Sequence, residues 1–249
     1  MIINLINPNT SESMTNCIAQ AAKLVAAPDT QLRCCHPEHG AKSIEGFLDE
    51  LVAATGVIEQ IQLGEQAGCQ AHIIACFGDP GLDAGREVAS VPVIGIAEAA
   101  MHTATLLGHR FSVVTSLCRT VAMTEHLLVK YGMEQRCASV RAVDIAVLDL
   151  HNPESDAYRC ILEACQTAVH KDQADAIVLG CAGMADLQQN LSQALGIPVI
   201  DGVASALGMA EMLIRCGLST GKQGCYAAPL TKVYSGWASS LSPSKHDNK

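Results

Sequence analysis

Two cysteines stand at matching points of a repeated pattern. At residues 71–81, AHIIACFGDPG, an apolar run rich in β-branched residues delivers Cys76 to a glycine-containing turn. At residues 174–184, ADAIVLGCAGM, a second such run delivers Cys181 to a turn of small residues. The cysteines lie 105 positions apart, and each copy then reaches a PVI triplet, at Pro92 after 16 positions and at Pro198 after 17. A period this long exceeds that of any solenoid repeat and marks a duplicated lobe. Each lobe therefore presents one thiol.

The chemistry such a pair could perform is proton transfer at carbon. A cysteine beside a helix N-terminus feels positive potential and free N–H groups, which draw its pKa from about 8.5 toward neutrality. Two such thiols on opposite sides of a planar intermediate can remove a proton from one face and return one to the other. The stereocentre inverts with no cofactor. The carbon must adjoin a carbonyl, and the turns Phe77-Gly78 and Ala182-Gly183 offer backbone N–H donors for its oxygen. Asn7, Thr115 and Ser116 are expected at the same rim and are uncharged, which favours a neutral polar ligand over a free amino acid. Asp79 reads as the cap of its own helix. A buried cysteine is often mere packing, and Asn7 can equally be a turn residue; it is the duplication that lifts the two cysteines above that reading. His102, His109 and His126 read as surface or packing residues on helices or at their ends.

The elements that must position these groups follow from the hydropathy pattern. IINLI at 2–6 is a short buried strand, broken by Asn7-Pro8-Asn9-Thr10 before a helix that Thr10 or Ser11 can cap. A strand near 31–35 precedes a long helix from Ile44 to about Gly68, with Ile44, Phe47, Leu48, Leu51 and Val52 on one face. After the Cys76 strand, Asp79 and Pro80 predict a helix running to about Ala89. The strand at Val91–Ile96 leads to a helix over 97–108, and RFSVVTS then echoes the opening strand, with Thr115-Ser116 where Asn7-Pro8 stood. A helix over roughly 119–131, a strand around 137–143, a loop ending at Pro153 and a helix from about 154 to 170 lead to the Cys181 strand. The last predicted helix covers 202–216. Strands that are continuously apolar and alternate with helices indicate parallel sheets covered on both faces. The fold class is therefore α/β, with two pseudo-symmetric lobes and a site in the cleft between them, where strand carboxyl ends meet. The simplest packing makes residues 1–96 plus 202–249 the first lobe and 97–201 the second, with neighbouring crossings near Ile96 and Asp201.

Composition excludes several other classes. In 249 residues, 49% are hydrophobic and 16% charged, and the formal net charge is −9. No basic patch suggests a nucleic-acid partner, and no apolar run is long enough to span a bilayer. Met1 leads directly into IINLI without a basic segment, so no signal peptide is expected and the chain is predicted to be cytoplasmic. Twelve cysteines without a CxxC pair then read as reduced thiols. The cluster Cys34-Cys35-His36 with His39 matches no zinc spacing, so no metal is assigned. GDPGLDAG lacks both the dinucleotide fingerprint and a phosphate-loop lysine.

The segments INPNTSESMT, SIEGFLDE, ACFGDPGL, PVIGIAEAA, VLGCAGMA and PVIDGV together resemble the hydantoin racemases of the aspartate/glutamate racemase superfamily, especially the allantoin racemase branch. The likeness runs to about residue 216. It implies two α/β lobes, no cofactor, and racemisation of a 5-substituted hydantoin at ring carbon 5 by Cys76 and Cys181. It also implies that Phe77, Gly78, Ala182 and Gly183 hold ring carbonyls, that Asn7 with Thr115 or Ser116 lines the cleft, and that Ile44 touches the carbon-5 substituent. Relatives are commonly homo-oligomers. Arylmalonate decarboxylases are similar too but keep one of the two cysteines, so the pair speaks for racemisation. An amino-acid racemase or cis–trans isomerase of the superfamily, a non-catalytic two-lobe binding module, and a Cys76/Cys181 redox pair are the alternatives.

Overall fold

Eight short strands, buried except for the half-exposed edge strands 31–35 and 137–142, divide into two parallel sheets in the computed structural model, which describes residues 1–150 and 156–243. The first sheet has β1 (Ile2–Ile6), β2 (Gln31–Cys35), β3 (Ala71–Ile74) and β4 (Val93–Gly95) in the order β2-β1-β3-β4. The second has β5 (Phe111–Thr115), β6 (Cys137–Ala142), β7 (Ala176–Leu179) and β8 (Val199–Ile200) in the order β6-β5-β7-β8. The registers match as well: Ile3 pairs with Ala71 in one sheet as Phe111 pairs with Ala176 in the other. Asn7 and Thr115 are thus equivalent positions, one residue beyond Ile6 and Val114.

Helices cover both faces of each sheet. On the first, α1 (Glu12–Val25) lies on one face, and α2 (Phe47–Gln66) and α3 (Leu82–Val88) lie on the other. On the second, α5 (Val121–Lys130) lies on one face, opposite α6 (Ala157–Asp172) and α7 (Gln188–Leu195). The remaining two helices change sides. α4 (Ile96–Leu107) follows β4 but packs Ala97, Ala100, Met101 and Ala104 against Phe111, Val113, Ala176 and Val178 of the second sheet. α8 (Gly202–Arg215) follows β8 but packs Val203, Ala206, Leu207 and Ala210 against Ile3, Leu5, Ala71 and Ile73 of the first. Small alanines at these contacts let helix and sheet approach closely, and each large aliphatic buried there contributes about 1.5–3 kcal/mol. The crossings touch: a Cβ added to Gly202 would fall 2.7 Å from the Ile96 carbonyl oxygen.

Several local expectations change. Ser11 caps α1, its hydroxyl accepting from the Met14 N–H, while Thr10 donates to the Ala41 carbonyl. α2 starts at Phe47 rather than Ile44, and the face read as its packing side is exposed: Leu48 is 74% and Leu51 69% accessible. Its buried stripe is Ala53, Gly56, Val57, Gln60, Ile61 and Gly64, a regular three-and-four spacing rotated by about one residue from the expected one. Gly56 and Gly64 leave room for Pro37 and for Asn4 with His72, so the absence of side chains supplies the fit that hydropathy would assign to bulk. The helix after Cys76 also begins late, at Leu82, behind Gly81 at φ 73°. Asp79 is not its cap. The turn at Pro153 and the predicted start of the helix near 154 lie outside the described residues.

The C-terminal segment straps the first lobe. Lys222 Nζ donates to the carbonyl oxygens of Arg86, Glu87 and Ala89 where α3 ends, and Tyr226 donates to Asp83 Oδ1. No helix of the described residues is long and apolar enough to cross a membrane.

Candidate active site

β3 and β7 each stand third in the order of their four-stranded sheet, flanked by a strand on either side and buried throughout, so whatever follows their carboxyl ends is held from both sides. Cys76 and Cys181 follow them by two residues each. Both open onto one crevice of about 580 Å³, part of it continuous with solvent. Its walls include Ala75, Cys76, Phe77 and Gly78 from one turn, and Gly180, Cys181 and Ala182 from the other. Asn9, Met14 and Ile44 close the first-lobe side; Thr115, Ser116, Thr120, Met123, Thr124 and Val147 close the second. None of these side chains carries a charge.

The structure sorts the residues singled out in the sequence. Cys76, Cys181, Ile44, Phe77, Gly78, Thr115, Ser116 and Ala182 come together on the crevice wall. Ile44 reaches it because the chain there is a loop rather than the first turn of α2. Asn7 and Gly183 are not on the wall. Asn7 is buried, and its amide Nδ2 donates to Asn9 Oδ1, the Ser11 carbonyl and Thr15 Oγ1, so it shapes the turn from beneath. Asn9, which sequence reasoning passed over, takes the lining position two residues on. The NPNT run places both asparagines in one turn, and only the fold decides which faces inward. Thr115 Oγ1 pairs with Thr120 Oγ1 at 2.8 Å and donates toward the Gly180 carbonyl at 3.4 Å, knitting the second-lobe wall together. His102, His109 and His126 are exposed and off the crevice.

The thiols titrate in the opposite direction from the sequence expectation. Burial pushes Cys76 up to about 12; the Gly78 N–H opposes this, while Cys181, Glu50 and Asp79 add to it. Burial likewise pushes Cys181 up to about 11, against the Gly183 N–H and with Glu45 adding to the rise. Two physical causes explain the reversal. The α-helix expected to start beside Cys76 starts at Leu82, and Cys181 is followed by a 3-10 turn over Ala182–Leu187, so neither sulfur has an α-helix N-terminus beside it. The ionisable neighbours acting on both are acidic. Within this cleft both sulfurs are therefore neutral thiols, and each has one backbone N–H ready to stabilise the anion when it forms.

Asp79, three residues beyond Cys76, is 3% exposed. Its carboxylate accepts from the N–H groups of Ala97 and Glu98 at the start of α4, each at 3.0 Å, and from the Tyr131 hydroxyl at 2.7 Å. It caps a helix from outside that helix's own sequence. Burial raises its carboxyl to about 7 against these three donors, and burial with the nearby Asp79 raises Tyr131 as well. Among the described residues no cluster of three His, Cys, Asp or Glu side chains could hold a metal ion.

The chain and its fold are shared with known proteins. The sequence model of the Asp/Glu/Hydantoin racemase family matches residues 3–210. The hydantoin racemase of Rhizobium meliloti is 45% identical over 236 residues, covering 95% of this chain and 98% of that protein. Among solved structures, an allantoin racemase from Klebsiella pneumoniae superposes with a TM-score of 0.95 at 50% identity, covering 98% of this chain and 99% of the other. The allantoin racemase of Pseudomonas fluorescens superposes at 0.92 with 42% identity, over 95% of this chain and all of its own. Sequence and fold agree that this chain belongs to the Asp/Glu/Hydantoin racemase family.

Proposed function

We propose that the protein is a cofactor-independent racemase of 5-substituted hydantoins, allantoin among them, that works through Cys76 and Cys181. The observation carrying this reading is one uncharged crevice reached by a thiol from each lobe. A hydantoin is a neutral ring whose carbon 5 adjoins a carbonyl, so its proton is acidic without a cofactor. A free amino acid would bring a carboxylate into a wall that supplies no cation to meet it.

In this reading one sulfur, as thiolate, takes the proton from carbon 5 and becomes a thiol. The electron pair moves onto the ring carbonyl oxygen, giving a planar enolate. The opposite thiol then gives its proton to the other face and is left as thiolate. Atoms and charge balance, and the enzyme ends with the two protonation states exchanged. The Gly78 and Gly183 N–H groups support each thiolate in turn. The remaining polar groups of the turns, with Asn9, Thr115 and Ser116, are left to hold ring oxygens and nitrogens, while Ile44 and Met123 bound the space for the substituent. Such positioned acid–base groups supply roughly 10²- to 10⁴-fold each.

The same reading divides the chain into a first lobe of residues 1–96 plus 202–249 and a second of 97–201. The packing of α8 on the first sheet and α4 on the second supports it. Self-association belongs to it too, supported by the exposed Leu48 and Leu51 on α2, and light scattering of the parent against Leu51→Glu reads it.

The test is loss of optical rotation in D₂O from single enantiomers of allantoin, a 5-alkyl hydantoin and aspartate. The parent should racemise a hydantoin with deuterium entering carbon 5, and Cys76→Ser and Cys181→Ser should each lose racemisation by about 10²-fold or more. Racemisation of aspartate alone would overturn the reading.

A further inference from the structure

The two cysteine turns match in position but not in how they are held. The residue after each cysteine crosses over: Phe77 is buried in the core of the second lobe with Ala97, Ala100, Met101 and Phe111, and Ala182 in the core of the first with Ile3, Leu5 and Val203. Asp79 adds a further attachment to the Cys76 turn alone. Its N–H donates to the Cys76 carbonyl at 3.0 Å, closing the turn, and its carboxylate reaches across to α4 and to Tyr131 at the end of α5. The backbone of Asp79 sits at φ 45°, in the left-handed region, directly before Pro80. A non-glycine residue stays there only when its surroundings over-determine it.

The second copy closes its turn with the matching backbone bond, the Met184 N–H donating to the Cys181 carbonyl at 3.0 Å, but it carries no such carboxylate. Three residues beyond Cys181 stands Met184, whose side chain has no charged or hydrogen-bonding oxygen and packs in the core of its own lobe. The N-terminus of α8 is capped by Asp201, at the crossing itself, through the N–H groups of Val203 and Ala204. The position matching Asp201 in the first copy is Gly95, and a Cβ there would fall 2.2 Å from the Asp79 Cγ. The carboxylate that caps the crossing helix has thus been moved, in the first copy, onto the turn that carries the thiol.

We propose that Asp79 is a positioning residue for Cys76, tying its turn to the second lobe so that this sulfur keeps its place relative to Cys181 when the lobes move about their crossings. The inference rests on the two-thiol reading. It makes the two proton transfers unequal in their dependence on Asp79: misplacing a reacting group by about 1 Å costs on the order of 100-fold, and that loss falls on the hand of substrate whose proton faces Cys76.

The experiment measures initial deuterium entry at carbon 5 from each enantiomer of a hydantoin separately, with Cys76→Ser assigning the hand that Cys76 serves. Asp79→Asn keeps the size but loses one acceptor oxygen, and is expected to slow exchange from the Cys76 hand about tenfold or more while the other hand changes less than about threefold. Tyr131→Phe removes one hydroxyl and should show the same skew more weakly, and it decides the matter if Asp79→Asn does not accumulate folded. Equal losses on both hands, or no loss on either, would overturn the proposal. Peptide-resolved alkylation by iodoacetamide needs no turnover: the ratio of Cys76 to Cys181 labelling should rise in Asp79→Asn, and an unchanged ratio counts against the tie. A parent that exchanges neither hand of any hydantoin while its alkylation ratio still shifts in the variant brings down the two-thiol reading and leaves the tie standing.

Discussion

A thiol that burial holds above its usual pKa is a good acid only in the sense that its proton is always present. The scarce form in this cleft is the base. With Cys76 raised to about 12 and Cys181 to about 11, the fraction of either as thiolate grows about tenfold per pH unit across the neutral and mildly alkaline range. The kcat/KM of racemisation should therefore climb with pH between about 7 and 9 without levelling, provided the substrate ring itself stays neutral, and a stopped or falling profile there would contradict the geometry. The pair of cysteines was legible in the sequence because a duplication repeats its surroundings along with the residue. Their titration was not, since it depends first on how deeply the fold buries them, then on where α3 begins and on Glu45, Glu50 and Asp79 arriving from outside or beyond the turns. Asn9 was missed for a similar reason: a turn of alternating polar residues does not announce which of them faces inward.

At the scale of elements, the strands and most helices were readable from hydropathy, because continuous apolar runs leave a parallel strand few alternatives. α2 was readable in extent but not in orientation. Its inner stripe sets small residues among Val57, Gln60 and Ile61, and Gly64 is the clearest of the small ones: a Cβ there would meet Asn4 Nδ2 at 2.5 Å and His72 Cε1 at 2.7 Å. Those two side chains form a buried bridge under the helix, Asn4 Nδ2 lying 3.1 Å from His72 Nδ1 and His72 Nε2 lying 3.1 Å from Glu65 Oε1. In an exposed helix Gly→Ala stabilises by about 1 kcal/mol. Here the sign reverses. Gly64→Ala should destabilise by about 1–3 kcal/mol, as overpacking does in a filled interior, and urea unfolding of parent and variant measures it. A variant as stable as the parent would show that α2 can lift from the sheet at no cost.

At the scale of the whole molecule, the order of motifs was enough to suggest two neighbouring crossings. What it could not show is that the crossings are in backbone contact, because a close approach of Gly202 to the Ile96 carbonyl leaves no trace in sequence except a glycine among many. The helices beyond those crossings cover each other's sheets. A cut in the exposed connection between Gly108 and His109 should thus give two fragments, 1–108 and 109–249, that are each poorly soluble alone but co-purify when made together, at a lower Tm than the parent. Fragments that stay soluble and monomeric apart would refute this. Synthesis proceeds from the N-terminus, so the sheet that is made first is also the one left waiting. Its strands are complete by residue 95, yet the side that carries α1 stays only partly covered until the ribosome has released the helix ending at Arg215. A nascent chain halted between residues 95 and 215 already contains Cys76, and beyond residue 181 Cys181 too, but has no finished enclosure in which they can meet.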